Sequence, residues 1–217
     1  MSFPTYHKIQ SVFKRDPETK FKTFLPEYSR PEFEYLRDLD WEWTEKVDGT
    51  NIRVHWNGDR IHIGGRTDNA QLPADLISNI TEMFPFDNLL ELFGSDGGIT
   101  LFGEGYGAGI QRGGGYRKDK GFILFDVLAG ENLWLAREDV DDIAEKLEIH
   151  SVPVVEQGTL DSAIHRVQHS AMNSLLLGAT CRSEGFVLRP KVEMLDRFGK
   201  RIITKLKVKD FAGDDDE

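Results

Sequence analysis

Apolar and polar residues alternate along much of this chain with the period of two that marks half-buried strands, and elsewhere the period lengthens to that of helices. Residues 41–47 and 51–56 alternate on either side of an Asp48-Gly49 bend, which predicts strand, tight turn, strand. Asn57-Gly58-Asp59 before 60–66 predicts a second hairpin, because Asn-Gly readily takes the positive φ of a tight turn. In 74–93, Leu76, Ile80, Met83, Leu89, Leu90 and Phe93 fall at helical spacing, and Pro85 divides the run into two helices. Further strands are expected at 99–104, 121–128, 152–155, 185–188 and 202–208. Helices are expected at 138–149 and, behind Asp161, at 160–176. Pro4, Pro17, Pro26 and Pro31 punctuate the first 40 residues, read as a strand or turn at 6–9, a loop, and a helical turn at 31–39. The stretch 105–115 is read as a loop too rich in glycine to pack. Few regular βαβ units occur, so the fold class is α+β with largely antiparallel sheets.

Composition narrows the setting. The chain has 217 residues, 39% of them hydrophobic, enough for a core without covalent staples. Cys181 is the single cysteine, which excludes an internal disulfide and a cysteine-based zinc site. The start has no apolar leader, and no apolar run reaches the roughly 18 residues of a membrane span. These features point to a soluble, cytoplasmic monomer with no membrane partner. One domain is expected over 1–211, followed by a disordered acidic tail at 212–217 and no appended C-terminal domain.

A net charge of -10 argues against nonspecific nucleic-acid binding. Yet Arg189, Lys191, Arg197, Lys200, Arg201, Lys205, Lys207 and Lys209 are opposed only by Glu193 and Asp196. A basic face of this kind suits a polyphosphate or a nucleic-acid backbone.

Lys46 is the candidate nucleophile, at a strand end before the Asp48-Gly49 turn. A lysine attacks phosphorus only when unprotonated, so its reference pKa of about 10.4 must be lowered by cations or burial. Lys205 and Lys207 alternate on one strand and face the same way, which makes them the expected cations. By itself Lys-x-Asp-Gly is a weak signal.

Five more stretches follow it in order: Gly64-Gly65-Arg66-Thr67, Phe102-Gly103-Glu104-Gly105, Phe122-Ile123-Leu124-Phe125-Asp126-Val127, Ser183-Glu184-Gly185-Phe186-Val187-Leu188, and Lys205-Leu206-Lys207-Val208-Lys209. Together they resemble the six motifs of the covalent nucleotidyltransferases, the superfamily of polynucleotide ligases and mRNA capping enzymes. The details are most similar to the RNA ligase 2 family, over nearly the whole chain. Asp48 departs from that family, which usually has His there.

The resemblance implies two mainly antiparallel sheets flanked by helices around an ATP cleft, and an ATP-dependent RNA ligase acting through a lysyl-AMP intermediate. ATP and Mg2+, or Mn2+, would be the cofactors. RNA with 5′-phosphate and 3′-hydroxyl ends would be the partner. Catalysis would fall to Lys46, Glu184, Lys205 and Lys207. The backbones of Glu45 and Val47 would read adenine, and Asn51, Arg66, Glu104, Phe125 and Asp126 would bind the nucleotide. Glu184 and Asp48 would hold the metal, and Arg112, Tyr116 and Arg189 would contact RNA. Gln111, in the glycine-rich loop, would join them. A minimal DNA ligase, a capping-type guanylyltransferase and a catalytically silent nucleotide- or RNA-binding module are the competing readings.

Overall fold

Alternation becomes strand and helical spacing becomes helix at most of the expected places. The computed structural model describes residues 3–111, 113–170 and 172–211. In chain order come β1 (Gln10–Ser11), β2 (Phe13–Arg15), β3 (Phe24–Tyr28), α1 (Pro31–Tyr35), β4 (Trp41–Lys46), β5 (Thr50–Trp56), β6 (Ile61–Gly65), α2 (Ala74–Met83), α3 (Phe86–Phe93) and β7 (Ile99–Tyr106). These are followed by β8 (Gly121–Ala129), β9 (Leu133–Trp134), α4 (Arg137–Lys146), β10 (His150–Ser151), β11 (Val154–Gly158), α5 (Leu160–His169), β12 (Gly185–Pro190) and β13 (Thr204–Lys207).

Three expectations need correction. The strand read at 6–9 starts later, at β1, and the supposed loop after it contains the β2–β3 hairpin. Phe24 and Tyr28 close that hairpin on Phe13. The helix read at 160–176 ends at His169, and its N-cap is Thr159 rather than Asp161. Thr159 Oγ1 accepts from Ser162 N–H at 3.1 Å, satisfying one of the donors that a helix start leaves open. The helix read at 74–93 does divide at Pro85. That proline, with φ -60°, caps α3 from outside the helix, where its missing N–H costs nothing.

The chain divides into two compact units. The first comprises Met1–His7 and Asp48–Val152, the second Lys8–Val47 and Pro153–Glu217. In the first, the sheet runs β10-β8-β7-β5-β6, with β9 on β8. Ile52, Val54, Trp56, Leu101, Phe122, Leu124 and Val127 pack on helix residues Leu76, Ile80, Leu89 and Val140. In the second, the order is β1-β13-β12-β4-β11. There Trp41, Trp43, Phe186, Leu188 and Leu206 pack on Leu160, Ala163 and Val167 of α5. Pairing is antiparallel except at β1–β13 and β8–β10. In each unit one sheet face is spent on the core, which leaves the other face to carry chemistry. No helix among the described residues is long and apolar enough to cross a membrane.

Candidate active site

In the second unit, β12 lies between β4 and β13, with Gly185 opposite both Lys46 and Lys207. Side chains alternate across a strand. Since Trp43, Phe186 and Leu206 point into the core, Lys46, Lys205 and Lys207 share the opposite face. Glu184, just before β12, is pinned to both neighbours: its N–H donates to Lys46 O at 3.2 Å, and its carbonyl accepts from Val208 N–H at 3.0 Å. Its carboxylate then divides between the two lysines, with Oε2 2.5 Å from Lys46 Nζ and Oε1 2.5 Å from Lys207 Nζ.

Gly185 has φ +150°, and a Cβ there would overlap Leu206 O and come 2.8 Å from Lys207 Cα. A side chain at this position would push the β12–β13 rung apart. Burial pushes the Glu184 carboxyl up, but Lys46 and Lys207 outweigh it and hold the group below the usual carboxylate range. The expected cluster of cations is therefore corrected: a carboxylate stands between Lys46 and Lys207 and balances one of their two charges.

Glu45 points the other way, into the core, 2% exposed. Its Oε2 accepts from Leu175 N–H at 2.8 Å, and burial pushes its carboxyl above the ordinary range against that bond and Ser174. The backbone N–H of Glu45 donates to Pro153 O at 3.0 Å, so that donor is not open to adenine. Val47 is buried. Arg189, expected to take an RNA phosphate, lies opposite Glu42 on the neighbouring strand and pairs with it at 3.2 Å, both side chains nearly buried. Register, invisible in the sequence, commits that guanidinium to a protein carboxylate.

In the first unit, Ile52, Val54, Leu101, Phe122 and Leu124 face the core. Alternation therefore places Asn51, Arg53 and Glu104 on the other face, and Asn51 sits opposite Glu104. Register shifts in β8 so that Phe102 faces Asp126 while Gly103 faces Leu124. Phe125 is thus the extra residue of a bulge, a device that re-aims side chains. It escapes the apolar core on either side of it and meets the Tyr6 ring edge-on at 5.0 Å. Tyr6 also donates to Asp126 Oδ2 at 2.8 Å. Arg66 follows β6 and is exposed.

Sequence reading passed over Arg53. Its side chain is wholly buried: Nε donates to Gly65 O at 2.6 Å, Nη1 to Phe3 O at 3.1 Å and Pro4 O at 3.3 Å, and Nη2 pairs with Asp68 at 2.8 Å. Its guanidinium lies 4.4 Å from the Phe3 ring centre. These bonds bracket Arg66 on both sides in sequence. No local signal marks it, because an arginine keeps the Ile52-Arg53-Val54 alternation as any polar residue would.

The glycine-rich loop is also corrected. It packs: Ile110 joins the core, and Gly113 sits where a Cβ would come 2.6 Å from Gly107 O. Tyr116 is 4% exposed, lies edge-on to Tyr106, and its hydroxyl accepts from Asp48 N–H at 3.4 Å. It braces the turn after Lys46, and its ring packs inward. Arg112 lies outside the described residues. Gln111 is exposed at φ +47°.

Asn51 Oδ1 is buried without a hydrogen-bond partner, a vacancy that a ligand donor would fill. No group of three or more His, Cys, Asp or Glu capable of holding a metal occurs among the described residues. A divalent ion here would take most of its ligands from water and phosphate, as magnesium commonly does.

This is the α+β nucleotidyltransferase-type fold of RNA ligases. Structures of Naegleria gruberi RNA ligase share it. A variant with AMP and Mn superposes with TM-score 0.66 at 18% identity, over 94% of this chain and 56% of that one. A variant with ATP and Mn gives 0.68 at 17%, over 95% and 56%. The ligase with pyrophosphate gives 0.62 at 21%, over 94% and 57%. This chain thus spans a little over half the length of those proteins. No curated protein sequence matches it significantly. The profile of the RNA ligase family matches residues 39–207, and the chain belongs to that family.

Proposed function

We propose that the protein is an ATP-dependent RNA ligase whose nucleophile is Lys46. The observation that carries this reading is the rung in which Glu184 joins Lys46 to Lys207 across Gly185. One lysine is aimed by a carboxylate, while others on the same face offer cations to phosphate. Family membership supplies the reaction class, and the Naegleria ligase structures with ATP, AMP, Mn and pyrophosphate are consistent with it.

Lys46 Nζ, deprotonated, attacks the α-phosphorus of ATP. The bond to the β-phosphate oxygen breaks, pyrophosphate leaves, and a phosphoramidate to AMP forms. An RNA 5′-phosphate oxygen then attacks that phosphorus and breaks the N–P bond. Finally a 3′-hydroxyl attacks the activated 5′-phosphate, AMP leaves, and a phosphodiester remains. Dividing ligation this way stores the energy of ATP on a side chain.

Lys205 and Lys207 would neutralise charge on the transferring phosphate. Asn51, Glu104, Phe125 and Asp126 would bind the nucleoside, with Phe125 stacking on adenine, and Arg66 would contact ribose or phosphate. Magnesium would supply further charge neutralisation at the phosphates, near Glu184 and Asp48.

The test is incubation with α-labelled ATP, GTP or NAD and magnesium, then denaturing electrophoresis, beside Lys46→Ala. Label from ATP alone, absent in the variant, is expected. Label from GTP would indicate capping chemistry. No label on folded protein free of bound AMP would overturn the ligase reading.

A further inference from the structure

The excursion from β12 to β13 plays no part in the lysine rung, yet its tip is firmly built. Leu195 bridges to Arg201, Asp196 N–H donates to Lys200 O at 2.7 Å, and Gly199 N–H donates to Asp196 O at 2.9 Å with φ +74°. The Asp196 carboxylate holds the turn from inside. Its Oδ1 accepts from Phe198 N–H at 2.8 Å and Lys200 N–H at 2.9 Å, and its Oδ2 pairs with Arg30 at 2.7 Å.

What this turn presents is a bare aromatic ring. Phe198 is 69% exposed, and the Arg197 guanidinium lies 4.7 Å from its ring centre. Fixing an apolar ring in water forgoes the stabilisation that burial would give, so the turn does not serve the core. Beside it lies an open groove of about 580 Å³, with Tyr35, Leu195 and Arg197 among its walls and Tyr35 87% exposed.

The charges are just as one-sided. Glu193 is held by Arg201 at 2.7 Å, while Arg30 takes both Asp196 and Glu32. These three carboxylates are thus already matched. Lys191, Arg197 and Lys200 are exposed and make no ion pair among the described residues. In a protein of net charge -10, three exposed cations on the excursion that carries an open ring suit a polyanion with a flat, stackable face.

We propose that the 191–201 hairpin binds single-stranded RNA, a base stacking on Phe198 beside Arg197 while Lys191 and Lys200 hold the flanking phosphates. This rests on the reading of RNA as substrate and gives that substrate a place on the chain. A single strand fits better than a duplex, because only an unstacked base exposes a face to a ring. A protein partner would need carboxylates opposite these cations, whereas every single strand supplies phosphates.

The test uses the full chain, a fluorescent single-stranded RNA of about a dozen nucleotides, anisotropy at several salt concentrations, and label transfer from ATP to Lys46. Phe198→Ala is expected to weaken RNA binding about 5- to 100-fold, the range of one base–aromatic stack, with the salt slope unchanged. Lys200→Gln should weaken binding and lower the slope by roughly 0.7, one single-strand phosphate contact. Both should take label at the wild-type rate.

Phe198→Ala with wild-type affinity would overturn the proposal, and would point to a protein or a second copy on this face. So would a wild type that takes label but does not bind the strand, or one that neither takes label nor binds. Binding that falls in Phe198→Ala while the wild type takes no label would uphold the hairpin and sink the ligase reading instead.

Discussion

Lys46 and Glu184, 138 residues apart in the chain, meet Nζ to Oε2 at 2.5 Å. The contact exists because β4 and β12 are neighbours whose register places Gly185 opposite Lys46. Removing the carboxylate therefore tests the site directly. In Glu184→Gln an amide faces two ammoniums, which repel one another and lose their aim. Single-turnover labelling from ATP is expected to slow by about 10²-fold, as for loss of one preorganised polar group. A thermal melt of the same variant should show a lower midpoint but one cooperative transition.

Two carboxyls in the second unit, Glu184 half-buried and Glu45 buried, predict opposite responses to pH. Glu184 is held below its ordinary value of 4.5 despite burial, because Lys46 and Lys207 favour the anion. Its contribution to stability is present above the unfolded value and is lost as pH falls through the folded one. Glu45 is raised by burial, so its contribution is present below the unfolded value and is lost as pH rises through the folded one. Urea midpoints measured from pH 3 to pH 8 should show Glu184→Gln losing most above pH 5. Glu45→Gln should lose least, or gain, at the same end. Parallel curves for the two variants would contradict the assignment.

Gly185→Ala asks for a Cβ at φ +150° where Leu206 O already stands. Strain and clash together are expected to cost about 2–4 kcal/mol, read as a lower urea midpoint. Because the same rung aligns Lys46 with Lys207, labelling should fall further than stability alone explains when both are measured well below the transition.

Arg53→Lys keeps the charge and discards the geometry. A lysine cannot reach Gly65 O, Phe3 O, Pro4 O and Asp68 at once, so buried carbonyls are left unpaired. The expected loss is about 2–4 kcal/mol. The loop that carries Arg66 should loosen, raising KM for ATP in the labelling reaction more than it lowers kcat.

Local chemistry in the sequence determined most of the elements: the Trp/Thr/Lys alternation of β4, the paired helices divided at Pro85, the hairpin at Asn57-Gly58. It also determined which residue types the site would draw on, since Lys46, Glu184, Lys205 and Lys207 each lie at or beside a strand end with a readable pattern. Those features depend on neighbours a few residues away, and periodicity reports them faithfully. Partners across strands depend on register and bulges, which leave no local mark. Only the tertiary structure decided that Glu184 stands between two lysines, that Arg189 is spent on Glu42, and that a bulge lifts Phe125 out of an apolar run. It alone decided that Tyr116 packs inward, because glycines that look like slack in the sequence let the loop approach its own backbone closely. Arg53 was hidden for the same reason: what marks it is not its place in a strand but the four carbonyl and carboxylate groups that the fold gathers around it.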